Sequence, residues 1–184
     1  MKITEISIQG AYFLEPTKHE DARGYFYRGF CKQTLSDAGI PVGDIVQINH
    51  SFSVKKGTFR GFHYQLPPFA EEKIVTCLQG EVLDFVLDLR KGSSTFLKHD
   101  SVTLSEKNNR SMLIPKGCAH GFITLTEDCK LLYLHTAVYQ PEFERGISIS
   151  DPRIGVKLPI GIEEISERDQ HHALLNENFE GIEL

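Results

Sequence analysis

The chain reads as an all-β domain, a sandwich or barrel, and two observations carry that expectation. From Lys73 to Tyr139 the apolar residues recur mainly with period two, the repeat of a half-buried strand. Turn chemistry interrupts this rhythm at Gln79-Gly80, Lys91-Gly92-Ser93-Ser94, Ser105-Glu106-Lys107-Asn108-Asn109, Pro115-Lys116-Gly117 and Thr126-Glu127-Asp128. These breaks are too short for helical crossovers, so antiparallel pairing follows.

The elements can be justified in order. Met1 to Glu5 begins a short amphipathic strand and has none of the features of a signal peptide. Lys32 to Ala38 reads as a short helix ended by Gly39. In Gln47 to Ser53, alternation puts Gln47, Asn49, Ser51 and Ser53 on one strand face. Solvated faces generally carry Lys and Glu, so four uncharged hydrogen-bonding side chains in register suggest a binding surface. Phe59 to Gln65 reads as a strand with Phe59 and His63 on one face and Arg60 on the other. Further on, Leu83, Phe85, Leu87 and Leu89 alternate with Val82, Asp84, Val86 and Asp88, and Leu131, Tyr133 and His135 alternate with Leu132 and Leu134. Each of these two segments is expected to have one polar-lined face, with Tyr133 and Asp84 as candidates to line a cavity at a barrel mouth. In the tail, Ser166-Glu167-Arg168-Asp169 has the spacing of a helix N-cap, and the doublet His171-His172 is expected to be solvated.

Composition narrows the function classes. The 184 residues suit a single domain over 1–184, long enough to bury roughly 70% of its unfolded surface without a disulfide or metal. The net charge of −5, with both signs interspersed, offers no basic stripe for nucleic acid and no polybasic segment for a membrane. No apolar run approaches the roughly twenty residues of a membrane span. Cys31, Cys77, Cys118 and Cys129 form no CxxC pair, so reduced thiols and a cytoplasmic setting are expected.

Chemistry shows itself in two motifs. Arg60-Gly61-Phe62-His63-Tyr64-Gln65, followed by Lys73, groups a guanidinium, an imidazole and an ammonium, a set suited to an anionic substrate and proton transfer. Taken alone, His63 fits a hydrogen-bonded core histidine equally well. Pro115-Lys116-Gly117-Cys118-Ala119-His120 has the PxGxxH form of the second cupin motif, a tight turn that delivers a histidine into a barrel mouth. Metal-dependent cupins carry an HxH pair and a glutamate in the partner motif, because a cation needs three or four convergent lone pairs. Here that segment holds His63 alone, so a metal-free cupin-type jelly-roll barrel, with short peripheral helices mainly at the C-terminus, is the expectation.

Together, Asp21-x-Arg23-Gly24-x-Phe26, Gln47-x-Asn49-x-Ser51-x-Ser53, Arg60-Gly61-x-His63-Tyr64-Gln65, Lys73-x-Val75, Gly80-x-Val82, Asp88-x-Arg90, Ser94-Thr95-Phe96, Pro115-x-Gly117-x-Ala119-His120-Gly121-Phe122, Tyr133, Tyr139 and Asp151-Pro152 resemble the dTDP-4-dehydrorhamnose 3,5-epimerase family over nearly the whole chain. The resemblance implies inversion of C3 and C5 of a nucleoside-diphosphate 4-keto-6-deoxy sugar, without cofactor or metal. By similarity His63 would be the general base, oriented by Asp169; a histidine held by a carboxylate suits proton abstraction at neutral pH. Lys73 would stabilise the enolate oxygen at C4, and Tyr133 would return a proton from the opposite face. Arg23, Gln47, Asn49, Arg60, His120, Tyr139, Glu144 and Arg168 match positions that bind nucleotide, diphosphate or sugar, arginines suiting the diphosphate through their planar fork. The resemblance also implies a homodimer with exchanged N-terminal strands, in which Arg23 and Phe26 complete the partner's site. Arg28 stands where the family usually has a glutamate near the nucleotide base, and Gly146 to Pro159 lacks the usual tryptophans. Thymidine, cytidine and guanosine therefore stay open, as does inversion at C3, C5 or both. A non-catalytic sugar-nucleotide-binding module and a metal-dependent cupin are the competing readings.

Overall fold

In the computed structural model, which describes residues 1–184, fourteen strands and two short helices follow one another. They are β1 (Lys2–Glu5), β2 (Tyr12–Glu15), β3 (His19–Asp21), β4 (Gly24–Phe26), α1 (Lys32–Asp37), β5 (Gln47–Ser53), β6 (Thr58–Gln65), β7 (Lys73–Gln79), β8 (Glu81–Asp88), β9 (His99–Ser105), β10 (Ser111–Ile114), β11 (Cys118–Thr124), β12 (Cys129–His135), β13 (Glu144–Gly146), β14 (Glu164–Ile165) and α2 (Glu167–Gln170). One sheet has the order β1-β2-β10-β7-β12-β5 and the other β13-β6-β11-β8-β9, with β14 beside β6. All five turn segments named above fall between strands. Four of them join strands of different sheets, and the turn from β8 to β9 closes a hairpin. This alternation between sheets makes a jelly roll, and strand pairing does not run on around it into a closed barrel. Every strand pair is antiparallel except β14 with β6.

The space between the sheets is filled by Val75, Cys77 and Leu131 from one and Val82, Val86 and Phe122 from the other, all buried. On β8 the face expected to be polar carries only Asp84 and Asp88 between the buried Val82 and Val86. Its Phe85 and Leu87 are buried on the side away from the other sheet, under Ile147, Ile154 and Ile182 of the C-terminal segment. A strand buried on both faces reads as a continuous apolar run, which is what Val82 to Leu87 is. On the outer face of the first sheet, Leu35 of α1 and the following Ile40 and Val42 cover Leu14, Ile74 and Leu113. The tail adopts one four-residue helix, α2, where Ser166 Oγ accepts the Asp169 N–H at 3.1 Å as the N-cap spacing predicts. No helix is long and apolar enough to cross a membrane, and all four cysteines are free thiols.

Candidate active site

β6 brings two site residues to one place by breaking its own period. Against β11, His63 pairs with His120 and Arg60 with Phe122, so three steps on β6 oppose two on β11. The extra residue is a β-bulge, and it resets the alternation. Arg60 and His63 therefore both line the cavity, while Phe59 and Phe62 are fully buried in the core. The expectation that Arg60 faces away from His63 is corrected on this ground. Gly61 makes the bulge possible: its φ is +131°, and a Cβ there would lie 2.5 Å from the Gly121 Cα.

The cavity, of about 630 Å³, opens between the sheets, within the range of small-molecule sites. From the β6 sheet come Arg60, His63 and His120; from the β7 sheet come Gln47, Asn49, Ser51, Lys73, Tyr133 and His135, whereas Asp84, expected to line the cavity, is fully buried against His120 and does not reach it. Tyr139, Glu144 and Arg168 line it as well. All the expected site residues are thus brought together except Arg23 and Phe26. Those two lie on the β3–β4 hairpin, away from the cavity. The Arg23 side chain is 90% exposed and held by Asp21, and Phe26 is 74% exposed.

His63 Nε2 donates to Asp169 Oδ1 at 2.8 Å, joining residues 106 apart, and the Gly61 N–H donates to Oδ2 at 3.0 Å. Burial raises the Asp169 carboxyl, but the hydrogen bond and charge of His63 and the Gly61 amide outweigh it and bring it down to about 2. Asp169 is therefore an anion that holds His63 by Nε2, and Nδ1 makes no hydrogen bond to protein. His172, expected in solvent, is instead packed beside the pair, its ring edge-on to His63 at 5.4 Å. His63, Asp169 and His172 offer atoms within 4.8 Å of one another, but two of the three are joined by the His63–Asp169 hydrogen bond, so the group reads as a proton-handling cluster.

Two further histidines of the cavity, His120 and His135, are each paired with a carboxylate. His120 Nε2 lies 2.6 Å from Asp84 Oδ1, and Asp84 is fully buried with its other oxygen unpartnered. Burial raises the Asp84 carboxyl and lowers the His120 imidazolium, in each case against the charged form; an ionised, unpaired oxygen there would cost several kcal/mol. His135 Nδ1 bonds Glu71 Oε2 at 2.8 Å, and Glu71 Oε1 lies 3.3 Å from Lys73 Nζ. Burial raises the Glu71 carboxyl, but His135 and Lys73 bring it below its ordinary value. Sequence reasoning missed Glu71 and His135 as site residues, although a signal was there: Glu71 has the parity of Lys73 and His135 that of Tyr133.

Tyr133, on β12, bonds Ser51 Oγ at 2.9 Å, and burial raises its phenol far above the ordinary range. It therefore keeps its proton. At the mouth, Glu144 accepts from Tyr139 Oη at 2.7 Å and from Arg168 Nη2 at 2.6 Å. Arg60 is anchored by Ser53 Oγ at 3.1 Å and the Phe52 carbonyl at 3.1 Å. Arg28 lies outside the cavity, with Nη1 3.8 Å from Cys31 Sγ.

A jelly roll that holds a polar, histidine-rich cavity between its sheets is a cupin-type protein with an acid–base site for a small polar ligand. The sequence model of the family described as dTDP-4-dehydrorhamnose 3,5-epimerase matches residues 5–177. The enzyme of that name from Methanothermobacter thermautotrophicus is 38% identical over 180 residues, covering 96% of each chain. Among solved structures, dTDP-4-dehydrorhamnose 3,5-epimerase from Bacillus anthracis with TDP and PPi bound superposes with a TM-score of 0.91 at 34% identity, covering 95% of this chain and 99% of that one. The 3,5-epimerase from Legionella pneumophila in complex with dTDP-4-keto-L-rhamnose gives 0.87 at 38% identity, covering 94% and 92%. The chain belongs to the dTDP-4-dehydrorhamnose 3,5-epimerase family.

Proposed function

We propose that the cavity binds a nucleoside-diphosphate 4-keto-6-deoxyhexose, with dTDP-4-dehydro-6-deoxyglucose as first choice, and inverts C3 and C5 by removing and returning protons beside the ketone. The observation that carries this reading is that His63 and Tyr133 enter one cavity from opposite sheets. Inversion needs a proton taken from one face and another delivered to the opposite face. The ketone at C4 acidifies both neighbouring C–H bonds, so no cofactor is needed. His63 Nδ1 takes the proton, since Nε2 is committed to Asp169; the electron pair moves onto the C4 oxygen, where the Lys73 ammonium stabilises the enolate. Tyr133 then protonates the carbon from the other face, and Ser51 stabilises the phenolate left behind. Solvent restores both groups before the second carbon reacts.

Arg60 and Arg168 suit the diphosphate by charge and fork geometry; Gln47, Asn49, His120, Tyr139 and Glu144 supply polar contacts to sugar and nucleoside. The working form is a homodimer. In support, β5 is an edge strand that pairs only with β12, and its outer face carries Ile48 and Phe52 at 59% and 51% exposure between Val46 and Val54 at 52% and 62%. Edge strands are normally charged or covered. In the dimer the β3–β4 hairpin reaches the partner's cavity, where Arg23 and Phe26 act. Nucleotide-sugar chemistry and four free thiols fit a cytoplasmic setting.

Incubation with dTDP-4-dehydro-6-deoxyglucose in heavy water, followed by NMR, tests the reading. Deuterium at C3 and C5 with inversion at both is the expected result; deuterium at C3 alone identifies the C3-only alternative. Absence of exchange with the dTDP-, CDP- and GDP-linked 4-keto sugars alike overturns the assignment and leaves a binding module.

A further inference from the structure

We infer that His172 is a positioning residue for His63, a second imidazole that shares the carboxylate oxygen of Asp169 and limits how strongly that carboxylate acts on the base. Three geometric observations point there. His172 Nε2 lies 3.2 Å from Asp169 Oδ1, the same oxygen that accepts from His63. That nitrogen is buried and makes no hydrogen bond, its approach to Asp169 Oδ1 being a contact of charge, and the tautomer with hydrogen on Nε2 is the one that avoids a lone pair facing a carboxylate. The third concerns space: the ring lies over Gly146, where any Cβ would fall inside it, and Gly146 is the ladder partner of His63 on β13. A strand position without a side chain, directly opposite the base, is thus filled by the second imidazole.

The charged groups around His172 give the arrangement its effect. His63 stands on β6, Asp169 and Arg168 on α2, and Glu144 on β13, and Arg168 is paired with Glu144. One carboxylate, Asp169, is left to serve two imidazoles. The charge of its Oδ1 acts on both rings at once, and positive charge on one ring opposes positive charge on the other. Without the His172 imidazole beside Oδ1, the whole of that oxygen's charge bears on His63. The inference rests on the proposed role of His63 for its catalytic meaning, but its titration can be read without any substrate.

The experiment is a proton NMR titration of the His63 Hε1 resonance in the wild type, His172→Phe and His172→Gln. Phenylalanine keeps a ring over Gly146 and removes the donor, whereas glutamine keeps a donor. His172→Phe is expected to move the His63 midpoint upward by about half a pH unit or more, with His172→Gln staying near the wild type. The acid limb of kcat/KM for epimerisation moves with it. A His172→Phe midpoint equal to that of the wild type, at equal Tm, overturns the inference; so does an equal displacement in both variants, which marks the effect as packing. If His172→Phe does not fold, Gly146→Ala, which leaves the ring no room, is expected to give the same upward movement, and an unmoved midpoint there counts against the inference. A wild type that titrates as described but exchanges no proton of a nucleotide 4-keto sugar leaves the inference standing and removes the proposed function.

Discussion

At the scale of single residues, the opposed placement of His63 and Tyr133 makes a prediction that simple loss of activity would not. Tyr133→Phe removes the donor on one wall and leaves the base on the other, so His63 can still take a proton and give back a deuteron to the same face. Inversion is expected to fall by about 10²- to 10⁴-fold, while NMR in heavy water still detects deuterium at C3 with configuration retained. Loss of exchange together with inversion would place Tyr133 in the abstraction step. His63→Asn is expected to abolish both signals. Much of this set was legible in the sequence: Arg60, His63 and Lys73 cluster in a short stretch, and parity placed Gln47, Asn49 and Ser51 on one face. The partners of the histidines were less so. Asp169 is 106 residues from His63, and only family resemblance linked them. His172 looked solvated because neighbouring residues are polar, yet its environment is set by β13 and β6, which no local pattern reports.

At the scale of elements, the bulge in β6 does the positioning. Gly61→Ala is expected to destabilise the fold by about 2 kcal/mol or more, measurable by denaturant unfolding, because a side chain there meets the β11 backbone and must also adopt a left-handed φ. Strand existence followed from period-two patterning, and four of the five turn segments fell where glycine, asparagine and proline marked them, the fifth being the polar Thr126-Glu127-Asp128. The bulge was invisible, since an extra residue leaves composition unchanged and shows only in the register against β11. The apolar outer face of β5 carries a further prediction. Phe52→Asp is expected to halve the mass seen in sedimentation from dimer to monomer and to lower kcat/KM, since the partner's Arg23 is then withdrawn. A variant that stays dimeric places the interface elsewhere.

At the scale of the whole molecule, acid stability depends on two buried carboxylates. Burial raises Asp88, but its bonds to Arg90, Ser93 and Thr95 hold it down at about 2, and Asp169 is held at about 2 as described. Both folded-state values lie below the ordinary 3.8. Each ionised group therefore stabilises the fold above about pH 4, by about 2 kcal/mol, and that contribution is lost as pH falls through about 2. Unfolding free energy is expected to decline steeply over that window, and Asp169→Asn to flatten the decline; an unchanged slope would argue against the pairing. The sandwich has one more consequence. Because His63 and Tyr133 stand on different walls, the gap between them is fixed by Val75, Cys77, Leu131, Val82, Val86 and Phe122. Those side chains act as a calliper, so drift in their combined volume would detune the stereochemical outcome of turnover before it weakened ligand capture.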